Sequence, residues 1–428
     1  MQQLQGASRF NRRAVKVGDA MRLVLEAALP GLCESVPLWQ AAGRRLSEPL
    51  TATSDWPPFA RSGLDGYAVR SADTTQATPD SPSSLRVVGT VAAGGVTPAI
   101  VEPGTAVRIM TGGAVPEGAD AVVMLEQTAD ADEIGRSVVR VKRAAATGQN
   151  IARPGEEFRR GGVLAEPGTL IRPGHIALLG TFGYAEVPVF ARPRVAVLAT
   201  GAELLPVASP LEPGRIRDSN SAMVASMVEQ SGGTPVLVGR LPDDPNAVVG
   251  ALAAALEQAD MVVTTGGVSV GDFDVMADII RGIRSDGLTG GPDRLLFNKV
   301  AMRPGSPTSA AVMNGKLLFA LSGNPGACFV GFELFVRPAI LMLQGVTMEQ
   351  SLPREVTAKL AADFDKGSPH ERFVRTRLYV REGVLYADPL AFNKSSMMAS
   401  IPEADGLLRI PAGPEGAARG SLVHVIQL

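Results

Sequence analysis

The chain has 428 residues, with 41 Lys and Arg against 43 Asp and Glu. A balance this even argues against an electrostatic grip on nucleic acid or on an anionic membrane as the main activity, so any anion site must be local. Two cysteines, Cys33 and Cys328, and three scattered histidines, His175, His370 and His424, give no support to a disulfide scaffold, a zinc site or Ser-His-Asp catalysis.

The start, "MQQLQGASRFNRRAVKVGDAM", is basic with no apolar stretch behind it, and nowhere do eighteen apolar residues run uninterrupted. The expectation is a cytoplasmic protein with no membrane partner. The length predicts two to four domains. With 47 glycines, 32 prolines and 5% aromatic residues, short strands and tight turns should outnumber long helices. From Val17 to Ala28 the apolar positions recur at helical spacing, and Pro30 with Gly31 ends the run. From Trp56 to Arg143 short β-type runs such as "GYAVR", "AVRIM" and "AVVML" alternate with Gly, Pro and Asp, which predicts a small inserted β domain. Between 148 and 183 "PG" pairs punctuate the chain, and one short helix is expected from Pro173, with Gly183 just past its end.

At "RPRVAVLATG" the pattern changes. Strands at 194–199, 235–240 and 261–265 alternate with helices at about 219–231, 244–259 and onward from Asp274. Such alternation implies right-handed βαβ units and a mostly parallel sheet. After "RPAILMLQG" the tail returns to strands, "VTAKL", "RFVRTRLYV", "GVLYADPL", "LLRIP" and "LVHVIQL", a separate β domain.

In an open parallel sheet, ligands bind beyond the carboxyl ends of the strands. "MVVTTGGVSVGDFD" is such an end: Gly266 and Gly267 allow a sharp turn, Ser269 and Gly271 extend it, and Asp272 and Asp274 follow. Alone, this is an ordinary strand-to-helix turn with an aspartate cap. Two further strand ends change the balance. "LATGAELL" repeats the plan with Thr200, Gly201 and Glu203, and "LFALSGNPGA" offers Ser322, Gly323 and Asn324 before Pro325. Glu203 and Asp274 among phosphate-type glycines suit Mg2+, which one or two carboxylates hold together with substrate phosphates. In "FNKVAMRPGSP", Lys299 and Arg303 stand four apart on a segment stiffened by Pro304, Gly305 and Pro307, which favours anion recognition. Asp65, Thr111, Arg372 and Ser395 carry no signal alone: a turn aspartate, a bend threonine, a strand charge and a loop hydroxyl.

Together these motifs resemble the molybdopterin molybdenumtransferases, the MoeA family, and the homologous domain of gephyrin. The resemblance rests on "DGYAV", "RIMTGGAVPEGADAVV", "GQNIARPGEE", "TGAEL", "DSN", "LPDDP", "TTGGVSVGDFD", "KVAMRPGSP" and "SGNPGA", in family order over nearly the whole chain. It implies a multidomain α/β plus β fold: a helix and connecting, dimerising segment at 1–51 and 146–192, an inserted β domain at 52–145, a molybdopterin-binding-type α/β domain at 193–346, and a C-terminal β-barrel-like domain at 347–428.

The implied activity is insertion of molybdate into adenylylated molybdopterin with loss of AMP, in a homodimer, with a molybdopterin adenylyltransferase as a further partner. Asp65, Thr111, Glu203, Asp243, Asp274 and Lys299 occupy the family's functional positions, with Glu203, Asp243 and Asp274 as metal ligands and Asp65 and Thr111 facing the cleft of the other subunit. The family commonly reads "KPGKP" and "LPGNPVS", so Arg303 and Ser306 replace lysines, Ser322 replaces proline and Ala327 replaces serine. Glu157 stands where the family often has Asp. The resemblance leaves molybdate and tungstate undistinguished. A pterin-binding scaffold of the gephyrin kind would tolerate loss of the acids, yet all three are present. A nucleotide pyrophosphatase on the same α/β domain would need no β domain with "DGYAV" and "MTGG".

Overall fold

A computed structural model of the chain describes residues 13–133, 136–241, 245–267, 293–391 and 393–428. It divides into two compact units, one of Met1–Glu48, Pro167–Ile176 and Ala185–Leu428, the other of Pro49–Glu166 and Ala177–Tyr184.

The first unit is organised by a six-stranded sheet in the order Thr234–Arg240, Arg194–Ala199, Met261–Thr265, Lys316–Leu321, Ser309–Met313, Arg294–Phe297. The first four strands are parallel and the last two antiparallel. Its inner strands read as near-continuous apolar runs because both faces are covered, as parallel sheets require. Val195, Val197, Met261, Val263 and Phe319 face the helices Val17–Ala27 and Asn220–Gln230 and the apolar segment from Pro325 to Leu343. Their neighbours Ala196, Leu198, Val262, Leu318 and Ala320 face Leu252 and Leu256 of the helix Pro245–Gln258. Each large aliphatic side chain buried there contributes about 1.5–3 kcal/mol, and Leu252→Ala would cost about 2–5 kcal/mol.

The segment Pro325–Leu343 has the length and hydropathy of a membrane span, but 83% of its apolar window is buried inside the protein. It is a core helix, and it carries a π-turn at Phe332–Val336. There Arg337 donates to both oxygens of the buried Glu333 at 2.6 and 2.7 Å and to Ser231 Oγ at 3.0 Å, so the charge inside the core is paired.

The five apolar runs of the tail become Glu355–Leu360, Glu371–Arg381, Val384–Pro389, Gly406–Ile410 and Leu422–Gln427. They pair in a closed circuit, because Glu371–Arg381 bonds both Val384–Pro389 and Gly406–Ile410. Closure leaves no open sheet edge. One further pairing fixes the functional geometry: the short strand Met302–Arg303 runs parallel to Glu371 and Arg372, which sets the barrel beside the loops of the large sheet.

The second unit holds a six-stranded sheet in the order Ala121–Met124, Gly66–Val69, Thr105–Ile109, Ser83–Val91, Arg136–Val141, Thr128–Glu133. Tyr67 and Val69 point into one core and Ala68, Val107 and Ile109 into another, the alternation expected of a β domain. The helices expected at 219–231 and 244–259 are Asn220–Gln230 and Pro245–Gln258. That expected from Val17 is Val17–Ala27, and that expected from Pro173 is Pro173–Thr181. The helix expected from Asp274 lies outside the described residues.

Candidate active site

The register of the large sheet brings three strand ends level: Ala199 lies opposite Thr265, and Thr265 opposite Leu321. The loops leaving those ends are then tied to each other by backbone bonds. Thr200 N donates to Thr265 O at 2.8 Å, and Gly266 N donates to Leu321 O at 3.0 Å. Gly266 needs to be glycine twice over. Its φ is +89°, and a Cβ there would lie 2.5 Å from the carbonyl oxygen of Thr200. Gly201 is under the same kind of pressure from the carboxylate of Glu203, which folds back to within 2.5 Å of where a Cβ would stand. Asn220 fastens the third loop by donating from Nδ2 to Gly323 O at 2.8 Å.

Beyond these ends lies a cleft of about 1430 Å3. Thr200, Gly201 and Glu203 enter it from the first loop, Gly266 and Gly267 from the second, and Ser322, Gly323 and Asn324 from the third. The segment after Phe297 adds Lys299, Arg303, Pro304, Gly305 and Pro307, and the barrel adds Arg372 and Ser395. Pro325 lines a smaller adjoining pocket of about 310 Å3 that shares Thr200, Glu203, Gly323 and Asn324. Asp243, Ser269, Gly271 and Asp274 lie outside the described residues. Asp65 and Thr111 belong to the second unit, where Thr111 donates to Asp65 Oδ1 from its backbone N at 2.6 Å and from its hydroxyl at 2.8 Å. The backbone bond, then the hydroxyl bond, hold the Asp65 carboxyl below its ordinary value.

The lining of the cleft is strongly cationic. Among the described residues it carries five full cations, Lys299, Arg303, Lys366, Arg372 and Lys394, and one carboxylate, Glu203. Arg303 and Arg372 are cross-strand partners. Burial, and then the Arg303 charge, lower the Arg372 pKa from its ordinary value. Arg372 donates from Nη2 to Gly367 O at 3.2 Å, while its buried Nε has no acceptor among the described residues. Two adjacent guanidiniums lining one cleft favour an anion between them.

Arg375, on the same strand, is placed quite differently. It is 2% exposed, with Nε donating to Ser400 Oγ at 2.8 Å and Nη2 to Lys394 O at 3.1 Å. It also lies against Gly326, whose N donates to Ser395 O at 2.8 Å. Thus it ties the barrel loop that carries Lys394 and Ser395 to the start of the core helix. Ser306, which stands where the family commonly has lysine, lines the cleft and donates its hydroxyl to Val300 O at 2.8 Å, closing its own loop.

Three family profiles match the chain in order: the MoeA N-terminal region (domain I and II) over residues 15–183, a probable molybdopterin binding domain over 196–342, and the MoeA C-terminal region (domain IV) over 357–428. The molybdopterin molybdenumtransferase of Bacillus subtilis strain 168 is 43% identical over 97% of this chain and 94% of its own length. The chain belongs to the MoeA family. The enzyme of the same name from Staphylococcus aureus strain COL is 39% identical over 97% of this chain and 96% of its own. A crystal structure of the molybdopterin biosynthesis MoeA protein from Pyrococcus horikoshii OT3 superposes with a TM-score of 0.81 at 32% identity, covering 97% of this chain and all of the other. MoeA membership makes the protein a transferase of molybdenum cofactor biosynthesis. Against the MoeA motifs quoted above, Lys366, His370, Lys394 and Arg375 went unsingled. Only the "HERFVRTRL" run could have signalled any of them, through its unusual density of charge.

Proposed function

We propose that the cleft binds adenylylated molybdopterin and molybdate and inserts the metal oxyanion into the dithiolene with release of AMP. The observation that carries this reading is the convergence of glycine loops and five cations on one carboxylate in a single cleft. The glycine loops at 200–201, 266–267 and 322–324 let a phosphate and the pterin approach the backbone closely at Gly201, Gly267 and Gly323, the N–H groups of Thr200 and Gly266 being spent on holding the loops together. Lys299, Arg303 and Arg372 gather the oxyanion beside the sulfurs, so proximity supplies much of the rate and no covalent nucleophile is required.

Glu203 is the single carboxylate in the cleft among the described residues, and it fits Mg2+ as one of a few protein ligands. A site with few protein carboxylates, completed by ligand phosphates, is the usual magnesium arrangement. Glu203, with Asp243 and Asp274, would hold the ion. Such an ion would supply positive charge to offset that of the phosphoanhydride. The reading includes a homodimer in which Asp65 and Thr111 complete the cleft of the other copy, a cytoplasmic location, and delivery of substrate by a molybdopterin adenylyltransferase.

A single-turnover assay with adenylylated molybdopterin, Mg2+ and either molybdate or tungstate tests the whole proposal. Asp274→Ala should still fold and bind pterin but release no AMP, and Glu203→Gln should raise the Mg2+ concentration needed for half-maximal release. Normal AMP release by both variants would remove the metal role.

A further inference from the structure

We propose that Arg215 and Arg240 are positioning residues for Glu203: bonding the loop that carries it from two sides, they hold its carboxylate beyond the strand ends and screen the loop's own carbonyl oxygens. The inference rests on the cleft being the substrate site with Glu203 as a metal ligand. Neither arginine lines the cleft.

The loop is fastened through its carbonyl groups. Arg240 Nη2 donates to Gly201 O at 3.2 Å, and Leu204 N donates to the same oxygen at 3.2 Å. Arg215 Nη2 donates to Ala202 O at 3.2 Å and to Leu204 O at 3.3 Å, while Ile216 N donates to Glu203 O at 2.8 Å. Every carbonyl from 201 to 204 is therefore engaged, and at 201, 202 and 204 the donor is a guanidinium. The negative group this loop offers to the cleft is then the Glu203 side chain. Arg215 pairs with Glu212 at 2.9 Å, and among the described residues neither arginine pairs with Glu203, whose carboxylate stays available.

The fold places both arginines. Arg240 ends the edge strand Thr234–Arg240, and parallel register sets it opposite Ala199, just before the loop. Leu241 N donates to Ala199 O at 2.7 Å and pins that end of the strand. Arg215 follows Gly214, whose φ of +75° turns the chain back, and Arg215 N donates to Glu212 O at 3.1 Å. Leu204 and Leu205 pair in parallel with Ile216 and Arg217, so the excursion between them returns Arg215 to the loop it holds.

The consequence for Glu203 is direct. Its carboxylate folds back over Gly201, 2.5 Å from where a Cβ would stand, so a shift of the Gly201 peptide moves the floor under the carboxylate. Removing a group that orients a metal ligand commonly costs about tenfold in metal affinity or more.

Calorimetric titration of the full chain with Mg2+ in the presence of AMP tests this without turnover. Glu203→Gln and Arg215→Met should each weaken Mg2+ binding roughly tenfold. Arg240→Met, which removes one bond, should weaken it roughly threefold. Arg240→Lys should restore most of that loss. Arg215→Lys should restore only part, because one ammonium replaces both the nitrogen on Glu212 and the nitrogen on the two carbonyls. In a Glu203→Gln background neither Met substitution should weaken binding further, since each acts through that carboxylate. AMP affinity without Mg2+ and the melting temperature should stay unchanged. Additive losses in the double variants, or a lower melting temperature with unaltered Mg2+ binding, would overturn the positioning role. If Glu203→Gln binds Mg2+ as the unaltered protein does, the metal reading falls and the positioning role falls with it. If Glu203→Gln loses Mg2+ while both arginine variants keep it, the positioning role alone falls and the proposed function stands.

Discussion

The two walls of the cleft are built by opposite means. At the sheet ends the chain removes side chains: Gly201, Gly266, Gly267 and Gly323 expose backbone, and the loops are locked to each other by main-chain bonds. On the barrel side it adds side chains: Lys366, Arg372 and Lys394 project from loops and strands whose backbones are already pinned. Backbone recognition suits a phosphate that must be approached closely and held in one orientation. Side-chain cations suit an anion whose charge matters more than its shape. The difference yields a test, because damage to the first wall should act through shape and damage to the second through charge.

The largest effect is expected from Gly266→Ala. It combines a left-handed backbone with a collision against the Thr200 carbonyl, and should cost about 2–4 kcal/mol of stability. Urea unfolding would show the loss, and titration with AMP should show no residual affinity at the strand ends. An Ala variant with the stability and AMP affinity of the parent would mean that this wall is not shaped by backbone approach.

Arg375→Met should follow closely. It removes the bonds from Nε to Ser400 Oγ and from Nη2 to Lys394 O, inside a region that is 2% exposed at Arg375. A loss of about 2–4 kcal/mol is expected from buried groups deprived of partners, together with weaker molybdate binding as the Lys394 loop loosens. Arg372→Met, three residues away, should separate the two quantities. Its removal relieves the like charge of Arg303 and deletes a buried donor that has no acceptor, so stability should change by no more than about 0.5 kcal/mol. Molybdate affinity should still fall roughly tenfold. If the two arginines behaved alike, the distinction between a positioning and a binding residue on this strand would be lost.

That pair also shows where sequence reading stops. The sheet wall was legible because its instructions are local: an apolar run, a Thr or Ser, then Gly, three times over, with the ends made level by parallel register. The five strands of the barrel were equally legible from "VTAKL" through "LVHVIQL". Their closure into a barrel was expected only through the family resemblance and is found, whereas the pairing of Arg303 with Arg372 that brings barrel and cleft together was not expected at all. In the sequence Arg372 and Arg375 are two charges in one strand. An odd spacing places them on opposite faces, but which face is buried depends on Gly326 and the 394–400 loop, both brought in by tertiary contacts. Lys366 and Lys394 are invisible for the same reason.

The smallest expected effect concerns Cys328, which lies in the helix that begins behind the sheet wall. Burial, then the Asp218 carboxylate, push its thiol up to about 12 from 9.0. Asp218 is itself fixed there, accepting from Ser221 N at 3.0 Å and from Ser221 Oγ at 2.6 Å. Only the thiolate attacks a disulfide reagent, so at pH 8 the native protein should react rapidly once, at the exposed Cys33, and a second time only after denaturation. The raised value also sets a sign for stability. The folded state keeps the proton more tightly than the unfolded one, so the contribution is complete below about pH 9 and is lost as pH climbs toward 12. Reactivity of Cys328 therefore reports on the sheet wall alone: Arg372→Met should leave it silent, while Gly266→Ala should expose it. Rapid labelling of Cys328 in the unaltered protein would show that the glycine wall opens on its own, and the proposed phosphate binding could then not rest on backbone preorganisation.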